Sequence, residues 1–269
     1  MLFDSIALKP LSPNVGARVT GADLSQPLSP AQVADITSAL AHYGVLQFRE
    51  QPLDKEKLVL LGRQFGRLHL HTGVIRDPAF PEITAIYGDE NTKHANGEVW
   101  HSDLSCDQLP PLGSILHMKI VPETGGDTGF ASTYAAYDAL SNRMKTYLEG
   151  LSATHDGHAT FSRYNPGGTY PRAVHPVINT HPVSGRKGIY VNRGFTIHIN
   201  ELPDDEGDAL LAFLFDHCES PNWSTRFHWQ EDTVAFWDNR CVQHLAIFDY
   251  FPQKRSGFRV QIASEDPIQ

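Results

Sequence analysis

A histidine and an aspartate lie two positions apart in the stretch EVWHSDLS, residues 98–105. In an extended strand, side chains two residues apart point to the same face, which would place His101 and Asp103 about 7 Å apart. Both side chains are common metal ligands, and this spacing would let them bind one ion. The same pattern also suits an ordinary polar strand face, so other residues must decide between the two interpretations.

A third ligand can come from His244, in the stretch VAFWDNRCVQHLAIFDY. It follows a predicted strand, a turn at Asp238 and Asn239, and a second short strand. Two histidines and one carboxylate leave one face of an octahedral metal open, which is the arrangement of non-haem Fe(II) oxygenases. Imidazole suits Zn(II) as well, and the chain has 14 histidines, so residue types alone do not choose the metal.

Four motifs follow one another along the chain. They are WHSD at 100–103, GGDTGF at 125–130, HPV…THPVSGRKGIYVN at 175–192 and WDNRCVQH…DY…R…R at 237–259. Together they resemble the taurine dioxygenase family, which includes the 2,4-dichlorophenoxyacetate dioxygenases, over nearly the whole chain. The resemblance implies a mainly β fold with peripheral helices around a double-stranded β-helix (jelly-roll) core. It also implies a dioxygenase activity that depends on Fe(II) and 2-oxoglutarate.

Carried over position by position, the resemblance makes His101, Asp103 and His244 the iron ligands and catalytic residues. It implies that O2 and 2-oxoglutarate are consumed, with succinate as a product, while the substrate is hydroxylated. The protein's part is to hold the substrate carbon near the metal and to exclude competing reactions. Related halogenases have a small residue at the carboxylate position, so the presence of Asp103 disfavours halogenation.

The resemblance also implies a cosubstrate site. Arg255 matches the family's arginine for the distal carboxylate of 2-oxoglutarate, and Thr128 matches its hydroxyl partner. A guanidinium offers a fixed fork of donors to a carboxylate, but without the motif Arg255 would be interpreted as a solvated charge in PQKRSG. Arg259 alternates with apolar residues in GFRVQIAS, which favours an inward side chain at the cosubstrate or substrate over an edge-strand charge.

The expected substrate pocket follows from the same resemblance. In the taurine enzymes a histidine and a C-terminal arginine hold the sulfonate, and His71 and Arg259 match them. Thr160 and Phe161 match a Ser-Phe pair, and Phe195 matches an aromatic wall. For His71 alone, an ordinary loop histidine is an equally good interpretation.

Two positions depart from the taurine enzymes. Val74 replaces an expected tyrosine and Gly97 replaces an expected asparagine, which removes both polar contacts to the amino end of taurine. We therefore expect a small anionic substrate, foremost a sulfonate or sulfate ester, with an aryloxyalkanoate or other carboxylate as the alternative. A Zn(II) hydrolase would not need Arg255 and Thr128, and a non-catalytic jelly-roll binding module would be expected to lack a ligand.

The composition of the chain limits the kinds of partner and the compartment that we expect. The 269 residues include 22 Lys and Arg against 31 Asp and Glu, a net charge of −9 without a dense basic run, which disfavours nucleic acid. The longest apolar run, residues 209–215, is too short to span a membrane, and the N-terminus lacks a targeting pattern. Three cysteines without a CxxC pair favour a reducing cytoplasmic location, and assembly into a homo-oligomer is left open.

Helices and strands must position these residues. Segments 28–44, 53–66, 133–150 and 203–219 predict helices, the first with Ser29 and Gln32 as a capping box and Gly44 at its end. Strands are predicted in 82–88, 113–121, 187–194, 232–239 and 257–264. Strands concentrated after residue 80, without a βαβ rhythm, favour an antiparallel double-sheet roll in a single domain over 1–269.

Overall fold

The structure is a computed structural model that describes residues 3–70, 77–163 and 166–269. Its strands in these ranges are β1 (Ala7–Pro10), β2 (Ala17–Thr20), β3 (Val45–Phe48), β4 (Thr84–Gly88), β5 (Gly113–Ile120), β6 (Thr128–Ser132), β7 (Ser152–Asp156), β8 (Arg172–Pro176), β9 (Ile178–Thr180), β10 (Lys187–Ile189), β11 (Thr196–Ile199), β12 (Ser224–Phe227), β13 (Thr233–Asp238), β14 (Val242–Ala246) and β15 (Arg255–Ile262). The helices are α1 (Pro30–Tyr43), α2 (Lys55–Arg63), α3 (Thr133–Ala139), α4 (Asn142–Leu148), α5 (His158–Phe161) and α6 (Asp204–Cys218).

The largest sheet has seven strands in the order β1-β2-β3-β13-β5-β15-β4. Its strands pair antiparallel except for β2 and β3, which are parallel. A second sheet, β12-β6-β14, packs against it, because buried Leu116 and Met118 of β5 share one core cluster with Phe130 of β6 and Val242 of β14. This is the double-stranded β-helix, or jelly roll, predicted from the sequence.

Two helices cover the outer face of the large sheet. Ile36 and Leu40 of α1 and Leu58 and Leu61 of α2 lie in one buried cluster with residues of β13 and β15. Apolar side chains of helical spacing thus remove that face from water, which stabilises the sheet. The inner face, towards β6 and β14, carries the buried apolar Leu116 and Met118 of β5 together with the buried polar Ser114. None of the described helices is long and apolar enough to cross a membrane.

The predicted capping of α1 is confirmed. The Ser29 side chain accepts from the Gln32 amide at 3.2 Å, and the Gln32 side chain accepts from the Ser29 amide at 3.0 Å. At the other end, the Gly44 amide donates to the Leu40 carbonyl at 2.8 Å, and β3 begins at the next residue. Local capping signals therefore set where the chain turns from the outer helix into the large sheet.

The structure corrects the predicted single helix over 133–150. Leu140 is extended, with ψ 148°, and separates α3 from α4. The reason is a second cap: the Ser141 side chain accepts from the Met144 amide at 3.2 Å and begins α4. A serine that satisfies the first amides of a helix competes with continuation of the helix before it.

Strands also begin earlier than expected. β1, β2 and β3 all precede residue 80 and supply one edge of the large sheet. They are only four residues long each, too short to show a clear alternation of apolar and polar side chains. Their place is set by pairing with distant segments, such as Val45 of β3 opposite Trp237 of β13.

Candidate active site

His101 and His244 are brought together by a backbone bridge between distant parts of the chain. The His101 amide donates to the His244 carbonyl at 3.0 Å, and the His244 amide donates back to the His101 carbonyl at 2.8 Å. The two imidazole rings lie 4.1 Å apart between centroids. Because β14 carries His244, this bridge anchors the residues around His101 to the smaller sheet.

Asp103 completes a group of three. Its Oδ1 atom lies 3.7 Å from His101 Nε2 and 3.8 Å from His244 Nε2. One ligand atom from each residue thus lies within 4.8 Å of the others. The structure places all three predicted metal ligands around one point.

The route to this geometry differs from the one expected. Residues 98–105 are not a strand: His101 makes one isolated bridge, and the chain turns at Asp103, with Leu104 at φ 50°. The predicted shared strand face is therefore wrong. The turn folds the carboxylate back toward His101, which brings the two side chains closer than the about 7 Å that an extended strand would allow.

Both histidines are in the form that binds metal. The His101 Nδ1–H donates to the Val99 carbonyl at 2.7 Å, which leaves Nε2 with its lone pair. His244 packs against Trp237, 4.9 Å between ring centroids, and its buried Nδ1 has no hydrogen-bond partner in the described residues. Burial lowers the pKa of both imidazoles, with the neighbouring histidine adding to the effect at His244, so both are neutral near pH 7.

Asp103 is held as a carboxylate. Ser114 donates to its Oδ2 at 2.6 Å, and Arg259 donates to its Oδ1 at 3.0 Å. Burial raises the pKa of Asp103, but the charge of Arg259, the two histidines and the Ser114 hydrogen bond outweigh burial and hold that pKa well below its usual range. Two neutral imidazoles and one carboxylate fit Fe(II), and they fit Zn(II) equally well.

Ser114 was missed by sequence reasoning. Its signal was a polar residue in the otherwise apolar start of GSILHM, at a position that is fully buried in β5. Arg259 was predicted to point inward, and it does, but its contact is with Asp103. The predicted cofactor and substrate residue thus contacts one of the predicted metal ligands.

Arg255 and Thr128 meet at a third residue, Trp229. The Trp229 indole N–H donates to the Thr128 hydroxyl at 3.0 Å, and the Arg255 guanidinium lies 5.8 Å from the indole ring. Arg255 is buried and donates through Nε to the Gly126 carbonyl at 2.9 Å, so the interpretation as a solvated charge is wrong. Trp229, which no motif had identified, positions both predicted cosubstrate residues.

Arg255 has no salt-bridge partner in the described residues. In residues 3–70, 77–163 and 166–269, no carboxylate oxygen lies within 4.0 Å of its guanidinium nitrogens. Burial lowers the pKa of Arg255 from its usual value, yet a guanidinium keeps its proton at physiological pH. A buried cation without a carboxylate partner in the described residues is a candidate site for an anion.

An aromatic wall begins at the first histidine. Phe195 is buried, with its ring centroid 6.3 Å from that of His101 and 5.8 Å from that of Phe161. Thr160 lies beside them, and its hydroxyl donates to the Gly194 carbonyl at 3.0 Å. The structure thus brings together Thr160, Phe161 and Phe195. His71 and Val74 lie outside the described residues.

Gly97 lies against His101, the first of the predicted metal ligands. Its φ is +88°, and a Cβ atom added there would lie 2.9 Å from His101 Cε1. The Ala246 amide donates to its carbonyl at 2.8 Å, which ties this loop to β14. The asparagine expected from the taurine enzymes is therefore replaced where the backbone itself packs on the imidazole.

The comparisons with known proteins point to one family. The model of the family described as "Taurine catabolism dioxygenase TauD, TfdA family" matches residues 7–261. An alpha-ketoglutarate-dependent sulfonate dioxygenase of Saccharomyces cerevisiae is 32% identical over 98% of this chain and 68% of its own length. An alpha-ketoglutarate-dependent 2,4-dichlorophenoxyacetate dioxygenase of a Burkholderia species is 33% identical, with 89% of this chain and 88% of that protein covered.

A solved structure is similar over almost its whole length. The crystal structure of a taurine dioxygenase from Burkholderia xenovorans superposes with a TM-score of 0.86 at 33% identity. The match covers 98% of this chain and 93% of that one. The fold observed here is therefore that of solved dioxygenases.

Proposed function

The chain belongs to the taurine catabolism dioxygenase TauD, TfdA family of 2-oxoglutarate-dependent dioxygenases, and from this premise we propose that it hydroxylates a small anionic substrate at an Fe(II) centre. The observation that carries the proposal is the convergence of His101, Asp103 and His244 around one point. The hydrolase and binding-module alternatives gain no support from the family.

Fe(II) would be held by Nε2 of His101, Nε2 of His244 and the carboxylate of Asp103. When bound, the ion supplies the oxygen chemistry that couples decarboxylation of 2-oxoglutarate to oxidation of the substrate. The protein keeps both imidazoles neutral and the carboxylate ionised, so no proton has to leave before the metal binds. His101 is fixed in its orientation by the Val99 carbonyl, as metal-bound histidines commonly are.

Arg255 would hold the distal carboxylate of 2-oxoglutarate, with Thr128 as the second donor. Its guanidinium is desolvated, carries no carboxylate partner in the described residues and is oriented through Nε by the Gly126 carbonyl. In that setting a charge-assisted pair is stronger than one in water. The buried Trp229 indole beside both residues excludes water from the anion.

The substrate would lie along the aromatic wall. Phe161 and Phe195 offer apolar surface that starts at His101, while Arg259 supplies positive charge at the metal end. We propose a sulfonate or sulfate ester with an apolar tail, and an aryloxyalkanoate or other carboxylate as the second candidate. The sulfonate and 2,4-dichlorophenoxyacetate dioxygenases among the relatives support both head groups.

Taurine is a poor fit for this pocket. Gly97 offers no side chain to the amino group of taurine, and steric contact with His101 explains why none is accommodated. Burial of an ammonium group without a hydrogen-bond partner costs about 2 kcal/mol or more. Taurine should therefore be turned over less well than substrates with apolar tails.

The test is a comparison of alkylsulfonates, alkyl sulfates, phenoxyacetates and taurine with Fe(II), 2-oxoglutarate and O2. Product and succinate should form in equal amounts for at least one anionic substrate with an apolar tail, and neither should form without 2-oxoglutarate. Taurine as the best substrate by about tenfold would contradict the proposed pocket. Turnover that needs no O2 would contradict the oxygenase itself.

We also propose that residues 1–269 form one domain and that the protein is cytoplasmic. Buried clusters join the large sheet to α1 and α2 on one side and to β6 and β14 on the other, which supports a common core. Cys106, Cys218 and Cys241 are buried free thiols, which supports a reducing compartment.

A further inference from the structure

Asp103 differs from the two histidines in how it is supported. His101 and His244 are joined by two backbone hydrogen bonds, whereas Asp103 lies in a turn that follows the bridge. Its amide makes one long contact, 3.4 Å, to the Asn239 side chain. The direction of the carboxylate therefore depends on what its two oxygens touch.

The two oxygens have different surroundings. Oδ1 faces both Nε2 atoms and Arg259, while Oδ2 accepts a hydrogen bond of 2.6 Å from the Ser114 hydroxyl. In the part of the chain that the structure describes, Ser114 is the single donor to Oδ2. The hydroxyl must donate here, because an ionised carboxylate only accepts.

Ser114 itself is rigidly placed. It lies on β5 between two partner strands, opposite Trp237 of β13 and opposite Gln261 of β15, and it is fully buried. A strand paired on both sides moves little, so its side chain is a fixed reference for the turn at Asp103. The distance of 2.6 Å is typical of a strong hydroxyl–carboxylate hydrogen bond.

We propose that Ser114 is a positioning residue of the metal centre: it holds Oδ2 so that Asp103 offers the metal a single oxygen, Oδ1. Without this hydroxyl, the carboxylate would keep only the Arg259 contact at Oδ1, and Oδ1 would no longer be held toward the two Nε2 atoms. The inference rests on the metal centre of the proposed function and adds a residue from the large sheet to it.

The test measures metal binding rather than turnover. Mn(II) dissociation constants of the wild type and Ser114→Ala are obtained from the EPR signal of free Mn(II). Loss of a hydrogen bond to a metal-binding carboxylate typically weakens metal affinity by about 10–100-fold, and we expect a loss in that range. The absorption spectrum of the Co(II) form should also change in intensity, since it reports the number and arrangement of ligand atoms.

A matched control separates positioning from general loss of packing. Thr154 is buried in β7, in another sheet, and its hydroxyl donates to the Asn200 side chain at 2.7 Å. Thr154→Val also removes a buried hydroxyl, but it should leave Mn(II) affinity and the Co(II) spectrum unchanged. Where Ser114→Ala fails to fold, Ser114→Cys keeps a similar volume with a weaker donor and should also bind Mn(II) less tightly.

Two outcomes would overturn the inference in distinguishable ways. If His101→Ala weakens Mn(II) binding and neither Ser114 variant does, the metal centre stands and Ser114 has no positioning role. If His101→Ala binds Mn(II) as the wild type does, the metal centre of the proposed function is itself wrong, and the role of Ser114 is lost with it.

Discussion

Within the described residues, two clusters have the residue types of a metal site, but only one of them has free donor atoms. The first cluster is His101, Asp103 and His244, and the second cluster is His181, Asp238 and Cys241. In each, one ligand atom per residue lies within 4.8 Å of the others. Composition and distance alone therefore do not tell them apart.

In the second cluster the donors and acceptors satisfy one another. His181 Nδ1 accepts from the amides of Val183 and Ser184, both at 3.2 Å, so its Nε2 carries the proton and donates to Asp238 at 3.0 Å. Asp238 also accepts from the Arg240 guanidinium at 2.9 and 2.6 Å. These contacts lock the turn that follows β13.

The thiol of the second cluster is also unsuited to a metal. Burial and the nearby charge of Asp238 raise the pKa of Cys241 well above its usual value, so the thiol stays protonated. Metals bind the thiolate, not the thiol. The second cluster is therefore a structural network.

The first cluster has the opposite character. Both Nε2 atoms face one carboxylate oxygen at 3.7 and 3.8 Å, too far for a hydrogen bond, so the residues of this cluster do not satisfy one another. Buried polar atoms without partners cost free energy unless a ligand binds them. Saturation of hydrogen bonds, not residue type, separates a binding site from a structural network.

The largest expected effect is loss of the first cluster. His101→Ala, Asp103→Ala or His244→Ala should abolish turnover, because each removes a direct ligand. Mn(II) affinity should fall by more than about 100-fold, beyond what loss of a supporting contact costs. Metal titration checks this, with Cys241→Ala as the control that should bind Mn(II) normally. An equal loss of Mn(II) affinity in Cys241→Ala would show that the two clusters do not differ in metal binding.

A substitution in the second cluster should instead lower the free energy of unfolding. Asp238→Asn leaves the Arg240 charge buried without its partner, which should cost about 3–5 kcal/mol of unfolding free energy. The control is Asp216→Asn, in an exposed pair with Arg193, which should cost less than about 1 kcal/mol. Urea denaturation measures both. If Asp238→Asn lowers the unfolding free energy no more than Asp216→Asn does, the second cluster does not stabilise the fold.

Two buried arginines, Arg240 and Arg255, differ in the same way as the two clusters. Arg240 is neutralised by Asp238, while Arg255 has no carboxylate partner in the described residues. Arg255→Ala should remove about 2–5 kcal/mol of cosubstrate binding and raise the KM for 2-oxoglutarate at least about 30-fold. Arg193→Ala, at an exposed surface pair, should leave that KM unchanged. Steady-state kinetics decide, and an unchanged KM in Arg255→Ala would remove this residue from the cosubstrate site.

A smaller effect concerns His155, another structural histidine. Burial and the neighbouring His175 lower the pKa of His155 to about 3. In the unfolded chain this imidazole takes up a proton near pH 6.5, whereas in the folded protein it stays neutral down to about pH 3. The unfolding free energy is therefore unaffected by His155 well above pH 6.5, and it decreases as the pH falls from there toward 3. The unfolding free energy should drop by about 2 kcal/mol from pH 7.5 to pH 5 through this residue.

The check is denaturant unfolding at both pH values, compared with His155→Gln. The variant should show a shallower pH dependence over this window, since glutamine does not titrate. Identical slopes in the two proteins would mean that His155 is protonated in the folded state as readily as in the unfolded chain.

Features that depend only on neighbouring residues could be predicted from the amino-acid sequence. The capping box at Ser29 and Gln32, the acidic start of α6 and the β-branched runs of β5, β13 and β15 act over a few positions, so they could be predicted. Ordered motifs identified the family and named the three candidate ligands. Their residue types, and the arginine and threonine of the cosubstrate site, were available without coordinates.

The contacts that those residues make depend on the tertiary structure. The bridge from His101 to His244 spans more than half of the chain, and the contact from Ser114 to Asp103 joins a central strand to a turn. Such contacts depend on which distant segments pack together, which no local pattern encodes. Only the full hydrogen-bond network showed that one histidine–aspartate cluster has donor atoms left for a metal, while the other has already satisfied its own.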